Sequence, residues 1–372
     1  MDSNKYNEPF KFQSFSTFDK GGRVETIDLL KLFAAILVVF SHCIAKYVEG
    51  GTSTPIFNFI WLIQMPLFMF TTGYVNADSN KVSTMKKYLF RLARNSLFLL
   101  LPCLSFMIIT SALDGSNITT SLLSFYKNPE TNLWFLWVLF MIHFIFDFGL
   151  FISTKIRKKV RTFVPVAISL LVSLGIVLLM FSLKNSFNFS TLSLKLLAYY
   201  IPFYCFGYFF HYIVSKGMFR YKKGTLLSIV FLVFSLTVVT FEIFFFDSIY
   251  SFDDGNIKLV LIRVLGSVCA VYVCVFGADL LCKFKIFRII AKGGMFSLEA
   301  YYLHIIFLRF LNYSNENNAL QWLISIGSSV LLLFLVALLL VIIYFIPFLH
   351  LVLFGKSFSF YKFEKRLPKI FR

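Results

Sequence analysis

Acidic side chains are scarce in this chain: 18 Asp and Glu stand against 36 Lys and Arg, a net charge of +18 over 372 residues. Charge of either sign is scarce too, at 15% of residues, while 58% are hydrophobic and 19% aromatic. The mean hydropathy of +0.79 excludes a soluble domain. Apolar runs of about 20 residues recur along the chain, the pattern of an all-α, polytopic transmembrane helical bundle. In that setting the excess of base is expected to hold cytoplasmic loops inside, and no nucleic-acid partner is expected. Cysteine is sparse as well. Cys43, Cys103, Cys205, Cys269, Cys274 and Cys282 lie in or at the ends of apolar runs, and none forms a CxxC pair. They are expected to pack helices, which leaves no metal or disulfide site in prospect. The opening residues lack the short basic segment and cleavage site of a signal peptide, so the first helix is expected to act as an uncleaved anchor. Internal repeats and linkers are absent.

What is present is a series of about ten hydropathic spans: 27–47, 55–76, 88–112, 133–152, 163–183, 191–214, 225–247, 257–282, 296–311 and 324–354. The connections between them alternate in base. Segment 153–162, "STKIRKKVRT", carries five basic residues, whereas 248–256 carries Asp253 and Asp254 and nothing basic. This alternation predicts that both termini face the cytoplasm. The expected layout is a cytoplasmic tail over 1–26, an integral-membrane domain over 27–354, and a basic cytoplasmic tail over 355–372. No connection exceeds about 20 residues, so the chemistry is expected to reside in the bundle itself.

Ionisable residues inside apolar spans are costly, about 2.5–3.5 kcal/mol at the bilayer centre on the mildest scale, and mark candidate sites. The first span, "IDLLKLFAAILVVFSHC", carries Asp28, Lys31 and His42. At about 100° per residue Lys31 lies about 60° from Asp28, and His42 returns to within about 20° of Lys31. One polar stripe thus runs from the cytoplasmic end to a depth about 16 Å beyond Lys31. Lys31 alone would be read as snorkelling to the interface, and His42 alone as a packing hydrogen bond. The shared stripe points instead to a wall of protein or water.

The third span opens "KKYLFRLARNSLFLLLP", with Arg91 and Arg94 on one helical face. Lys86 and Lys87 already supply positive-inside anchoring, so the deeper arginines suggest an anion site, where guanidinium grips phosphate in bidentate fashion. The second span ends "QMPLFMFTTGY". There Pro66 allows a broken helix lining a cavity, while Thr71, Thr72 and Gly73 equally suit close helix packing. The ninth span, "GGMFSLEAYYLHIIFLRF", gathers Glu299, His304 and Arg309. His143, in "NLWFLWVLFMIHFIFDF", is expected to be a satisfied core residue.

Four of these stretches, in order, resemble the integral-membrane acyltransferase 3 family: "RVETIDLLKLFAAILVVFSHC", "MPLFMFTTGY", "KKYLFRLARNSLFLLLP" and "FSLEAYYLH". The family typically shows an Arg in its first helix, ten residues, then a His. Here Lys31 and His42 keep the spacing, with Lys replacing Arg. Arg91 and Arg94 match its Arg-x-x-Arg, and Thr72 stands where the family usually has Ser before Gly-Tyr or Gly-Phe. The resemblance implies transfer of an acyl group, with acetyl the expected one, from acyl-CoA (acetyl-CoA) as donor substrate. The acceptor would be a hydroxyl of a cell-surface polysaccharide or lipid-linked glycan, at the cell membrane. On this reading His42, Lys31 and Asp28 are the catalytic candidates, Arg91 and Arg94 the donor-binding pair, and Glu299 and His304 candidates for the acceptor side. No permanently bound cofactor is expected. Partners are membrane lipid and the glycan acceptor. The alternative on the same scaffold is an exporter of polysaccharide or lipid-linked sugar. A transporter usually shows paired inverted halves, which this sequence lacks.

Overall fold

The computed structural model describes residues 24–78, 84–127, 133–156, 162–182, 193–215, 224–245, 257–311, 317–346 and 353–354. Both tails, and most of the basic connections from which the orientation is read, lie outside the described residues. Among those described there is no β-strand, and the expected all-α class holds. The helices are α1 (Glu25–Tyr47), α2 (Pro55–Asp78), α3 (Met85–Asp114), α4 (Ile118–Lys127), α5 (Trp134–Ser153), α6 (Val164–Ser182), α7 (Leu194–Ser215), α8 (Gly224–Phe245), α9 (Ile257–Leu281), α10 (Lys285–Ala291), α11 (Ser297–Phe310) and α12 (Asn318–Tyr344). A helix occupies each of the ten expected spans. The short α4 and α10 fall in stretches expected to be connections. Among the described residues six helices (α1, α2, α3, α5, α9 and α12) are long and apolar enough to cross a membrane. The 14-residue α11 reaches about 21 Å, short of a hydrocarbon core of about 30 Å.

The chain divides into two compact units. The first comprises the described residues within Met1–Ser79, Phe203–Tyr301 and Asn312–Ser329. Here α1 packs along α2, α8 along α9, and both α1 and α2 against α9. Polar side chains tie the pairs together: the Ser41 hydroxyl and the Gln64 amide oxygen lie 2.9 Å apart, both residues buried, and Ser235 Oγ donates to the Gly266 carbonyl at 3.0 Å. At the far end of α1, Gly50 adopts φ 62° and opens the 3₁₀ turn Gly51–Ser53. Trp322 of α12 packs there against the buried Ile44, Val48, Phe57 and Ile60.

Helix α2 runs without interruption through Pro66, so packing, not a broken helix, accounts for its motif. A Cβ on Gly73 would overlap the backbone carbonyl of Tyr204, and one on Gly207 would overlap that of Phe70. The two helices therefore cross backbone to backbone through a reciprocal glycine contact. Asn76 Nδ2 donates to Tyr204 Oη beside the crossing, and the Tyr74 ring meets His211 edge-on, 4.8 Å between centroids. Thr71 and Thr72 turn their hydroxyls back to the Phe68 carbonyl at 3.0 and 2.8 Å, leaving the glycine face bare. In lipid, where tails are as apolar as leucine, such close approach is what holds helices together. Gly73→Ala or Gly207→Ala is expected to destabilise the fold by about 1–3 kcal/mol, because a backbone carbonyl cannot move aside as a side chain can. Thermal unfolding of the purified protein checks this, and an unchanged midpoint would mean that the crossing is loose.

The second unit comprises the described residues within Asn80–Pro202, Tyr302–Leu311 and Val330–Arg372. Here α3 packs on α5, and α5 on α6. Gly149 of α5 lies so close to Pro165 that a Cβ would come within 2.7 Å of its Cα. Helix α3 starts at Thr84, whose hydroxyl caps the Lys87 amide at 3.3 Å, and stops at Gly115, at φ 63°. Within the second half of α3, Tyr302 of α11 shares a hydrogen bond with Ser105 at 3.1 Å and packs against Phe106, and the same ring packs against Phe354.

Candidate functional site

The stripe on α1 begins where acidic first-turn residues suit the positive end of the helix dipole. Asp28 is buried, and its Oδ1 lies 3.9 Å from Lys31 Nζ, one turn on. The 3₁₀ turn Lys292–Phe296 packs on this stretch of α1. Gly294 sits directly on the Asp28 backbone, where a Cβ would overlap the carbonyl oxygen, and Gly293 abuts Leu32. Arg288 of α10 reaches Glu25 at 4.0 Å. The Asp28 end of the stripe is thus framed by the segment just ahead of α11, a stretch expected to be a basic connection.

His42 is half-buried further along α1. Its chain neighbours hold the helix on two sides: Ser41 on Gln64 of α2, and Cys43 through a hydrogen bond with Ser329 of α12. Tyr47, one turn on, bonds Ser328 of the same helix. The backbone that carries the imidazole is therefore fixed by packing, as a reacting group requires. Asp28, Lys31 and His42 all belong to the first unit, while Arg91 and Arg94 belong to the second.

On α3 the arginine pair divides. Arg91 is buried. Its Nε donates to Asp147 Oδ2 at 2.9 Å, and its Nη2 lies 2.9 Å from Asp147 Oδ1. Asn95, one turn on, donates to the same Oδ2 at 3.2 Å. Asp147 is wholly buried in α5, and Tyr88 stacks on Phe151 beside it. Arg94, by contrast, is exposed and has no ion pair among the described residues. Both Arg91 and Arg94 act electrostatically on His143, one turn before Asp147 on the same face of α5. Asp147 was not singled out from the sequence. The available signal was an aspartate four residues after His143 inside an apolar span, a pair that shares a helical face.

Glu299 and His304 are both buried on α11, but five residues place them about 140° apart around the helix, so they do not share a face. Arg309, at the end of α11, donates from Nη1 to Asp114 Oδ2 at 2.7 Å, with its guanidinium over the Phe106 ring. Asp279, buried in α9, is a further ionisable group inside an apolar span.

Apolar helices of spanning length, several with buried ionisable side chains, define an integral-membrane protein. Residues 24–360 match the acyltransferase domain of the acyltransferase 3 family, and the chain belongs to that family. It is similar to nodulation protein NolL of Mesorhizobium japonicum, 26% identical over 196 residues that make up 50% of this chain and 47% of that protein. It is also similar to nodulation protein NolL of Sinorhizobium fredii, 25% identical over 211 residues, 53% of this chain and 52% of that one. The chain spans about half the length of the curated relatives it matches. No solved structure matches it significantly.

Proposed function

We propose that this protein moves an acyl group, with acetyl the expected one, from cytoplasmic acyl-CoA to a hydroxyl of a cell-surface polysaccharide or lipid-linked glycan. It would do so as a multi-pass protein of the cell membrane with about ten spans and both termini in the cytoplasm. The observation that carries the reading is the family match across residues 24–360. The stripe of Asp28, Lys31 and His42 supports it, because a membrane helix retains such groups only where they face protein or water. In this reading the face of α3 that carries Arg91 and Arg94 is turned to the anionic donor, whose phosphates suit guanidinium. Lys31 supplies a fixed positive charge at the inner end of the stripe, with Asp28 to orient it. His42 takes the proton from the acceptor hydroxyl as that oxygen attacks the thioester carbonyl, or carries the acyl group transiently, and CoA leaves as the thiol. Glu299 and His304 belong to the acceptor side.

The test compares surface glycan from cells with and without the gene, together with transfer of radiolabelled acetyl from acetyl-CoA in isolated membranes. Loss of base-labile O-acyl groups and of label transfer is expected. Glycan that stays inside the cell with its O-acyl content unchanged would overturn the reading in favour of an exporter.

A further inference from the structure

Within the arginine pair of α3 the geometry points to a division of labour. We propose that Asp147 is a positioning residue, that Arg91 and Asp147 form a clasp between α3 and α5, and that Arg94 alone is the guanidinium presented to the donor's phosphates. This rests on the reading of the chain as an acyl-CoA-dependent transferase.

The argument starts from what Arg91 has left to offer. Its Nε and one terminal nitrogen are engaged side-on by Asp147, at 2.9 Å each. The carboxylate cancels its charge, and the pair is buried. A phosphate approaching Arg91 would meet the Asp147 carboxylate within a few ångströms, a like charge in a poorly screened place. Asn95 adds a second α3 donor to the same carboxylate at 3.2 Å, so Asp147 gathers two polar groups from one face of α3. Arg91 stands six residues inside the start of α3, and Asp147 six residues before the end of α5. The clasp therefore sits about 9 Å in from both helix ends, where an uncompensated charge is costly. Arg94 follows Arg91 by three residues on the same face, is exposed, and has no ion pair among the described residues. His143 of α5 lies within electrostatic reach of it. Holding α3 to α5 at residue 91 fixes where residue 94 points, so Asp147 positions Arg94 by keeping the two helices in contact, a task that a well-packed apolar pair can also perform.

Removing one member of a buried pair leaves the other stranded, whereas replacing both with apolar groups of similar volume can be neutral. Four proteins are therefore compared with wild type: Arg91→Met, Asp147→Leu, the double Arg91→Met/Asp147→Leu, and Arg94→Gln. Each is read by thermal unfolding in lipid nanodiscs and by the KM and kcat of acetyl transfer from acetyl-CoA. The single clasp variants are expected to lose most of the folded protein, and the double to regain it. The double should keep its KM for acetyl-CoA within about threefold of wild type, while Arg94→Gln should raise KM by roughly 10- to 100-fold, as expected for one lost charge-assisted hydrogen bond, with an unchanged unfolding midpoint. The swap Arg91→Asp/Asp147→Arg is the second route to a rescued clasp. A rescued pair whose KM rises as far as that of Arg94→Gln would make Arg91 a direct ligand and overturn the proposal. So would failure of both double variants to regain the folding lost in the singles, or an unchanged KM in Arg94→Gln. If wild type itself transfers no acetyl group, the parent reading fails, and the unfolding cycle still decides the clasp.

Discussion

Replacing His42 with alanine is expected to cut O-acylation of surface glycan by about 10²–10⁴-fold, the usual range for a missing general base, while protein level and membrane insertion stay normal. An imidazole, with an ordinary pKa of about 6.5, accepts a proton near neutral pH, and His42 is the one histidine of the first helix. The alternative role, a hydrogen bond between packed helices, predicts a different result, since such bonds average only about 0.6 kcal/mol in a membrane bundle. The packing of α1 around His42 is supplied by its neighbours, Ser41 on Gln64 and Cys43 on Ser329, so the imidazole can be removed without undoing it. O-acyl content and protein level are measured together in His42→Ala and His42→Gln cells. The glutamine variant keeps hydrogen-bonding capacity and loses basicity, so it should be as inactive as alanine. Near-normal acylation at normal protein level in either variant would make His42 a structural residue.

The helices were legible because an apolar run of about 20 residues has few other fates, and each expected span holds a helix. What hydropathy could not show is which helices pair. Arg91 was singled out from the sequence, yet its partner is 56 residues away on α5, and nothing local to either residue announces the contact. Gly73 was recognised as a site of close approach, but its counterpart Gly207 and the Tyr204 carbonyl were not, because a glycine states that something comes near without stating what. Helix α10 was missed for another reason. In "KFKIFRIIAK" the lysines and Arg288 dominate a count of charge, while Phe284, Ile286, Ile289 and Ile290, all exposed, mark an amphipathic segment that a search for long apolar runs passes over. The stripe itself was legible only through spacing: Asp28 and Lys31 are close in space because they are close in sequence.

Lys31 offers the second decisive result. Lys31→Met is expected to lower acyl transfer by about ten- to hundredfold, the loss of one charge-assisted hydrogen bond of about 1.5–3 kcal/mol, while Lys31→Arg should keep full activity or exceed it. The family typically places Arg at this point of the first helix, ten residues before the histidine, and arginine supplies the same charge in a planar fork. The side chain here is one-fifth exposed, with Asp28 at 3.9 Å, a separation too long and too wet for the pair to be a stability device. Asp28→Asn should therefore lower activity by no more than about fivefold, the scale of a weak, partly screened pair, because Lys31 keeps its charge and loses only its orientation. Methionine keeps much of the length and apolar stem of lysine, and the close contacts of α1 with the 3₁₀ turn at Gly293 and Gly294 run through Leu32 and Asp28, so the comparison isolates the charge. The measurement is acetyl transfer from acetyl-CoA in membranes normalised to protein level, across Lys31→Met, Lys31→Arg and Asp28→Asn. If Lys31→Met transfers acetyl at the wild-type rate, the ammonium only snorkels to the membrane surface. The working part of the stripe would then be confined to His42.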